Sequence, residues 1–220
     1  MADQLTFYTN PMSRGRIVRW MLEEVGAPYE TVFLDYASTM KAPDYLAINP
    51  MGKVPAIKHG DTVVTEGAAI CAYLADAFPD AGLAPPSGNQ KRGPYYRWLF
   101  FAAGPVEAAV TAKSLGLLAP PDKKRMAGYG SFEETIDALE QAVATGPYIC
   151  GDQFTAADVY VGSQIGWGMM FGSIDKRAAF VDYWGRISSR PAHARAREID
   201  DALVAEQQQA QAAAQPQTAE

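Results

Sequence analysis

Three short stretches of this chain carry residue types able to hold or activate a small polar ligand. The first, Tyr8-Thr9-Asn10-Pro11-Met12-Ser13-Arg14-Gly15-Arg16, joins a β-prone run to a helical one. Loops at the C-terminal ends of strands are frequent ligand sites in α/β sheets. A Ser near a helix N-terminus either caps the helix or turns its hydroxyl toward a ligand. The second stretch is Asn49-Pro50-Met51-Gly52-Lys53-Val54-Pro55. Val54 is forced extended by the proline after it, and Pro55 cannot donate to a ladder. A cis Val54-Pro55 bond would present the Val54 main chain as an edge for a peptide-like ligand; the plain alternative is a loop-to-strand turn. The third, Thr65-Glu66-Gly67-Ala68, opens a helix. Free N–H groups and the positive end of the dipole favour a carboxylate there, and Glu66 can accept from an ammonium. A free α-amino acid carries both groups on one carbon. Helix capping alone is the alternative.

These stretches need a scaffold of short strands and helices. Leu5 to Thr9 is β-prone, and Ile17, Val18, Met21, Leu22 and Val25 share one helical face that Gly26 ends. Tyr29 to Leu34 reads as a strand and Asp44 to Ile48 as one helical turn. Val54 to Lys58 and Thr62 to Thr65 flank the turn His59-Gly60-Asp61, and Ala68 to Phe78 is helical. After a Pro- and Gly-rich stretch the β signals fade. Helices are expected over Tyr95 to Val110, Asp122 to Thr145, Thr155 to Phe171 and Lys176 to Ser189.

The 220 residues suffice for one large domain or two small ones. The net charge of −6 and the absence of a basic stripe argue against nucleic acid as a partner. Cys71 and Cys150 are too few for a disulfide framework, and a cytoplasmic location is expected. The longest uncharged stretch, Val159 to Ile174, is broken by Ser163, Gln164 and glycines. It falls short of the roughly 20 apolar residues that span a bilayer, so no membrane partner is expected. His59 and His193 are isolated in sequence, so no metal is expected. Gly162, Gly166, Gly168 and Gly172 are read as close packing in a soluble helix. Tyr95, Tyr96, Trp98, Phe100 and Phe101 are read mostly as core, with one or two available to an apolar substrate.

Taken together, Asn-Pro-x-Gly-Lys-Val-Pro followed by Thr-Glu-Gly-Ala-Ala-Ile resembles the glutathione site of the cytosolic glutathione transferases, in the style of bacterial members. Phe154-Thr155-Ala156-Ala157-Asp158-Val159 resembles the family's buried capping box, in which Thr155 caps and Asp158 reaches back. Asp158 is therefore structural. The resemblance covers essentially the whole chain. It implies an α/β thioredoxin-like N-terminal domain plus an all-α C-terminal domain: residues 1–80, a linker at 81–92, the helical domain at 93–205, and a Gln/Ala-rich tail at 206–220.

The resemblance also implies roles. Val54 would pair its backbone with the cysteinyl part of glutathione beside cis Pro55. Glu66 and the Gly67 N–H would hold the γ-glutamyl end, although many members have a Ser at the position of Gly67. Lys53 and Lys41 would face the glycine carboxylate. Glutathione would serve as co-substrate, its thiolate joining a hydrophobic electrophile. Two hydroxyls compete to activate the thiol. Ser13 resembles the Ser of the serine-type classes and is favoured; Tyr8 matches the Tyr of the alpha- and sigma-like classes. Asn10 is a weaker third, and Arg14 could add positive field. The alternatives are a glutathione-dependent disulfide or peroxide reductase, with Asn10 or Thr9 assisting the thiolate, and a non-enzymatic interaction protein. A homodimer with Met51 near its interface is expected.

Overall fold

A computed structural model describes residues 3–214, with side chains to residue 210. The packing forms two compact units. One is built on the chain up to Ile70 and from Pro191 onward, the other on Cys71–Arg190. This grouping differs from the division that the resemblance implies, since residues 71–92 go with the helical unit and the last helix goes with the first.

In the first unit, β1 (Leu5–Thr9) alternates as a strand with one buried face should, with Leu5, Phe7 and Thr9 inward. It pairs in parallel with β2 (Glu30–Phe33) and antiparallel with β3 (Ala56–His59), which pairs antiparallel with β4 (Thr62–Thr65). The strand order is β2-β1-β3-β4. Between β1 and β2 lies α1 (Gly15–Val25), whose buried stripe is Ile17, Val18, Met21 and Leu22. Gly26, in a left-handed conformation, ends it. Helix α2 (Pro43–Leu46) is a single turn, and α3 (Gly67–Ala77) follows β4. The expected strand from Val54 begins two residues later, since Pro55 has no N–H to give the ladder.

In the second unit, the helix expected over Tyr95 to Val110 is longer and interrupted. It comprises α4 (Arg92–Phe101), a π-helical turn at Ala102–Val106 and α5 (Glu107–Leu115). Pro105 lies within the wide turn; a proline cannot bond back to the preceding turn and its ring crowds that carbonyl, and a π-bulge makes room. The single helix expected over Asp122 to Thr145 is instead a 3-10 turn, Pro121–Met126, followed by α6 (Phe132–Ala144). The break has a local cause. Ser131 Oγ accepts from Glu134 N and Glu134 Oε2 accepts from Ser131 N, both at 3.2 Å, so the helix starts afresh there.

Helix α7 (Ala156–Phe171) is buried along most of its length, and α8 (Ala178–Ser188) packs on it. A Cβ at Gly162 would overlap Ile187, and one at Gly166 would strike Trp184, so these glycines serve close approach. The Asp158 carboxylate accepts from Ile149 N, Thr155 N, Thr155 Oγ1 and Tyr183 Oη at 2.8–3.1 Å. Burial holds this carboxyl above the usual carboxylate range, against the pull of those hydrogen bonds. Helix α9 (Pro191–Ala214) returns to the first unit and packs along α1. The helical part of the tail reaches Ala214, and 215–220 lie outside the described residues. No helix among the described residues is long and apolar enough to cross a membrane.

Candidate functional site

The strand register gathers the three stretches. Tyr8 is opposite Ala56, and Ala56 is opposite Thr65. One step past this row, antiparallel pairing brings Thr9, Pro55 and Glu66 to one end of the sheet. The next step reaches Asn10, Val54 and Gly67. Helices α1 and α3 both begin at that end, so their N-terminal N–H groups and dipoles point to it.

The Val54-Pro55 bond is cis. Val54 is half-buried ahead of the ladder. Among the described residues its main-chain groups take no partner, which leaves them available to an extended ligand. The approach is stiffened by Tyr45 Oη and Asn49 Nδ2, which donate to the Lys53 carbonyl at 2.6 and 2.8 Å. Burial pushes the Tyr45 phenol up to about 12, so it stays a donor. Lys41 Nζ donates to the Met51 and Gly52 carbonyls at 3.2 and 2.6 Å, which commits two of its three N–H groups to the loop. Lys53 is exposed.

Glu66 is the one non-glycine residue with positive φ among the described residues, at 66°. Such backbone costs roughly 1–3 kcal/mol and persists where the surroundings hold it, often at ligand sites. Its carbonyl accepts from Ile70 N at 2.9 Å and so opens α3, while its side chain is exposed.

The loop after β1 is tied at every peptide. Asn10 Nδ2 donates to the Leu34 carbonyl at 2.8 Å, and Asn10 Oδ1 accepts from Met12 N at 2.9 Å. Asn10 thus acts as a brace, with one of its two Nδ2 N–H groups committed to the Leu34 carbonyl. Ser13 Oγ donates to the Asn10 carbonyl at 2.6 Å and accepts from Gly15 N at 2.9 Å, which ties the hydroxyl into the turn just ahead of α1, whose N-cap position is Arg14. Tyr8 turns the other way. Its ring lies 5.7 Å from that of Tyr45 and packs on the cluster of Leu34, Met40, Tyr45 and Ala56, next to Val54. The loop's Arg14 is exposed. Ser13 and Tyr8 therefore occupy different faces of the strand end.

Sequence reasoning missed two arginines on α1. Arg19 pairs with Asp200 of α9 in the interior, and Arg16 bridges the loop to Asp201. The available signal was a buried helical face carrying two cations, set against a carboxylate pair near the chain's end.

Two family models match the chain: the glutathione S-transferase N-terminal domain over residues 3–76 and the glutathione S-transferase C-terminal domain over residues 107–167. GstA, a glutathione S-transferase of Escherichia coli O157:H7, is 31% identical over 194 residues, covering 84% of this chain and 90% of that protein. The chain belongs to the glutathione S-transferase family. It is a transferase enzyme, with the α/β thioredoxin-like unit and helical unit of that family. The solved glutathione transferase of Methylococcus capsulatus aligns with a TM-score of 0.74 at 30% identity, covering 90% of this transferase and 98% of that chain. A sphingomonad glutathione S-transferase, solved in complex with glutathione, aligns at 0.72 and 31% identity, covering 89% and 98%.

Proposed function

We propose that this transferase binds glutathione at the end of the sheet and joins its thiolate to a hydrophobic electrophile. The observation that carries this is the convergence of cis Pro55, the left-handed Glu66 and the start of α1 on one edge. The Val54 main chain pairs with the cysteinyl unit. The γ-glutamyl carboxylate meets the α3 N-terminus at Gly67, and its ammonium meets Glu66. Lys53 and the remaining N–H of Lys41 face the glycine carboxylate. Glutathione is a co-substrate in this reading, and no metal takes part.

A free thiol with a pKa of about 8.5 is only a few per cent thiolate at pH 7. Ser13 is the donor we favour. Rotation about its Cβ–Oγ bond would carry the hydroxyl hydrogen from the Asn10 carbonyl to the sulfur, beside the positive end of α1. The thiol proton leaves to solvent, sulfur attacks carbon, and a C–S bond forms; with an aryl halide the halide departs with its electron pair. The apolar second substrate rests on the family reading. Detoxification of such compounds is the matching role.

The deciding experiment is the pH-rate profile of Ser13→Ala and Tyr8→Phe with an aryl halide. Ser13→Ala should raise the apparent thiol pKa. If only Tyr8→Phe raises it, the tyrosine activates the thiol. Faster turnover of a disulfide or peroxide than of the aryl halide would favour the reductase reading. A failure of calorimetry to detect glutathione binding would favour a non-enzymatic protein. A cytoplasmic location is part of the proposal, supported by two free cysteines. So is a homodimer with Met51, 65% exposed, at its interface; sedimentation of wild type and Met51→Asp checks it.

A further inference from the structure

We propose that Arg16 and Asp201 form a positioning pair through which α9 holds the peptide planes of the loop carrying Ser13. The proposal rests on the reading above that this loop faces the glutathione sulfur. The peptides between Asn10 and Ser13 have all their polar groups partnered. The Pro11 carbonyl accepts from Arg16 Nε at 2.5 Å, and Met12 N–H goes to Asn10 Oδ1 at 2.9 Å. The Met12 carbonyl accepts from Tyr36 Oη at 3.3 Å, and Ser13 N–H goes to the Asn10 carbonyl at 3.1 Å. Arg16 is the one charged donor in this set, and it reaches a distant part of the chain. Its Nη1 donates to Asp201 Oδ1 at 2.8 Å.

The register that allows this contact is set one turn along. Arg16 and Arg19 are three apart and share a face of α1. Asp200 and Asp201 are consecutive on α9. The Arg19 and Asp200 side chains are 2% and 1% exposed, so neither charge can lose its partner without a large penalty. With Asp200 seated on Arg19, Asp201 reaches Arg16. The Arg16 and Asp201 side chains are 28% and 53% exposed, and ion pairs of that kind contribute little stability. What the pair supplies is orientation. The planar guanidinium gives one nitrogen to a carbonyl and another to a carboxylate in fixed geometry, which a lysine ammonium does not reproduce.

The test compares pH profiles of kcat/KM with glutathione and an aryl halide for wild type, Asp201→Ala, Arg16→Lys and the double variant. Asp201→Ala should raise the apparent thiol pKa by about 0.5, a roughly threefold loss of thiolate below that pKa. Its melting midpoint should stay within about 2 °C of wild type. Arg16→Lys should do the same, and the double variant should be no worse than Arg16→Lys alone. A pKa that rises by less than about 0.2 or falls in Asp201→Ala overturns the proposal; a fall would mean that Arg16 acts through its charge and that Asp201 only screens it. Independent, additive effects of the two changes overturn it as well. Wild type that neither binds glutathione nor turns over the aryl halide removes the reading beneath it. An active wild type with an unchanged Asp201→Ala profile removes this inference alone.

Discussion

Arg19 Nε and Asp200 Oδ1 stand 3.2 Å apart with almost no access to solvent. The guanidinium also donates to Tyr29 Oη at 3.0 Å and Thr31 Oγ1 at 2.8 Å, and lies 4.9 Å from the centre of the Phe7 ring. Removing one partner strands the other. Asp200→Ala should cost about 3–5 kcal/mol. Arg19→Met combined with Asp200→Leu should recover most of that loss. Urea denaturation of the three variants measures both, and an Asp200→Ala cost below about 1 kcal/mol would show the pair to be dispensable.

Gly15 sits against Thr9 at the start of α1, where a Cβ would overlap Thr9 Oγ1 and press on Ser13 Oγ. Gly15→Ala should therefore cost about 1–3 kcal/mol, as overpacking does. It should also lower kcat/KM, because the displaced side chains belong to the Ser13 loop. Thr9 Oγ1 is buried without a hydrogen-bond partner among the described residues. Thr9→Ala in the Gly15→Ala background should restore part of the stability. Thermal melts decide it, and a double variant no more stable than Gly15→Ala would place the clash elsewhere.

The backbone of Glu66 trades stability for position. Glu66→Gly relieves the left-handed strain and should leave the melting temperature unchanged or slightly higher, despite the added chain entropy of glycine. Glutathione binding should weaken about tenfold, since a charge-assisted contact to the ammonium is lost. Calorimetry on Glu66→Gly and Glu66→Gln separates the two effects. Unchanged affinity in both variants would exclude Glu66 from the site.

Stability should fall on the alkaline side. Burial pushes Tyr29, Tyr45 and Cys150 each up to about 12. These acids hold their protons more tightly in the folded state, so the unfolded chain ionises first as pH rises. Their contribution is fully present below the ordinary pKa values of about 8.5–10 and is lost as pH rises toward 12. The urea midpoint should be lower at pH 10.5 than at pH 8. The buried Cys71 should react with thiol reagents at pH 8 only once denaturant is added, whereas Cys150 is half-buried. Prompt labelling of Cys71 in the native protein would contradict its burial.

Local chemistry made much of this protein legible before any coordinates. The alternation over Leu5–Thr9, the Gly26 stop, the Val-Pro strand opening and the Thr155/Asp158 box each depend on residues within a few positions of one another. Their meaning survives without knowledge of the fold. The break at Ser131 is equally local: Gly128 and Gly130 stand directly before the Ser131/Glu134 box. The π-turn around Pro105 was local too, but a proline's effect on a long helix depends on what packs against it. Other features had no local signature. Three loops reach one edge only through the β1-β3-β4 register, which is set by which faces bury apolar surface. Whether the Ser13 hydroxyl is tied into the turn or faces outward depends on the Asn10 carbonyl that the folded loop brings to it. The pairing of Arg16 and Arg19 with Asp201 and Asp200 links residues more than 180 positions apart in the chain. A charge in a sequence does not name its partner. That choice is made when burial leaves Arg19 one carboxylate within reach, and the helix that carries it brings the next carboxylate to Arg16.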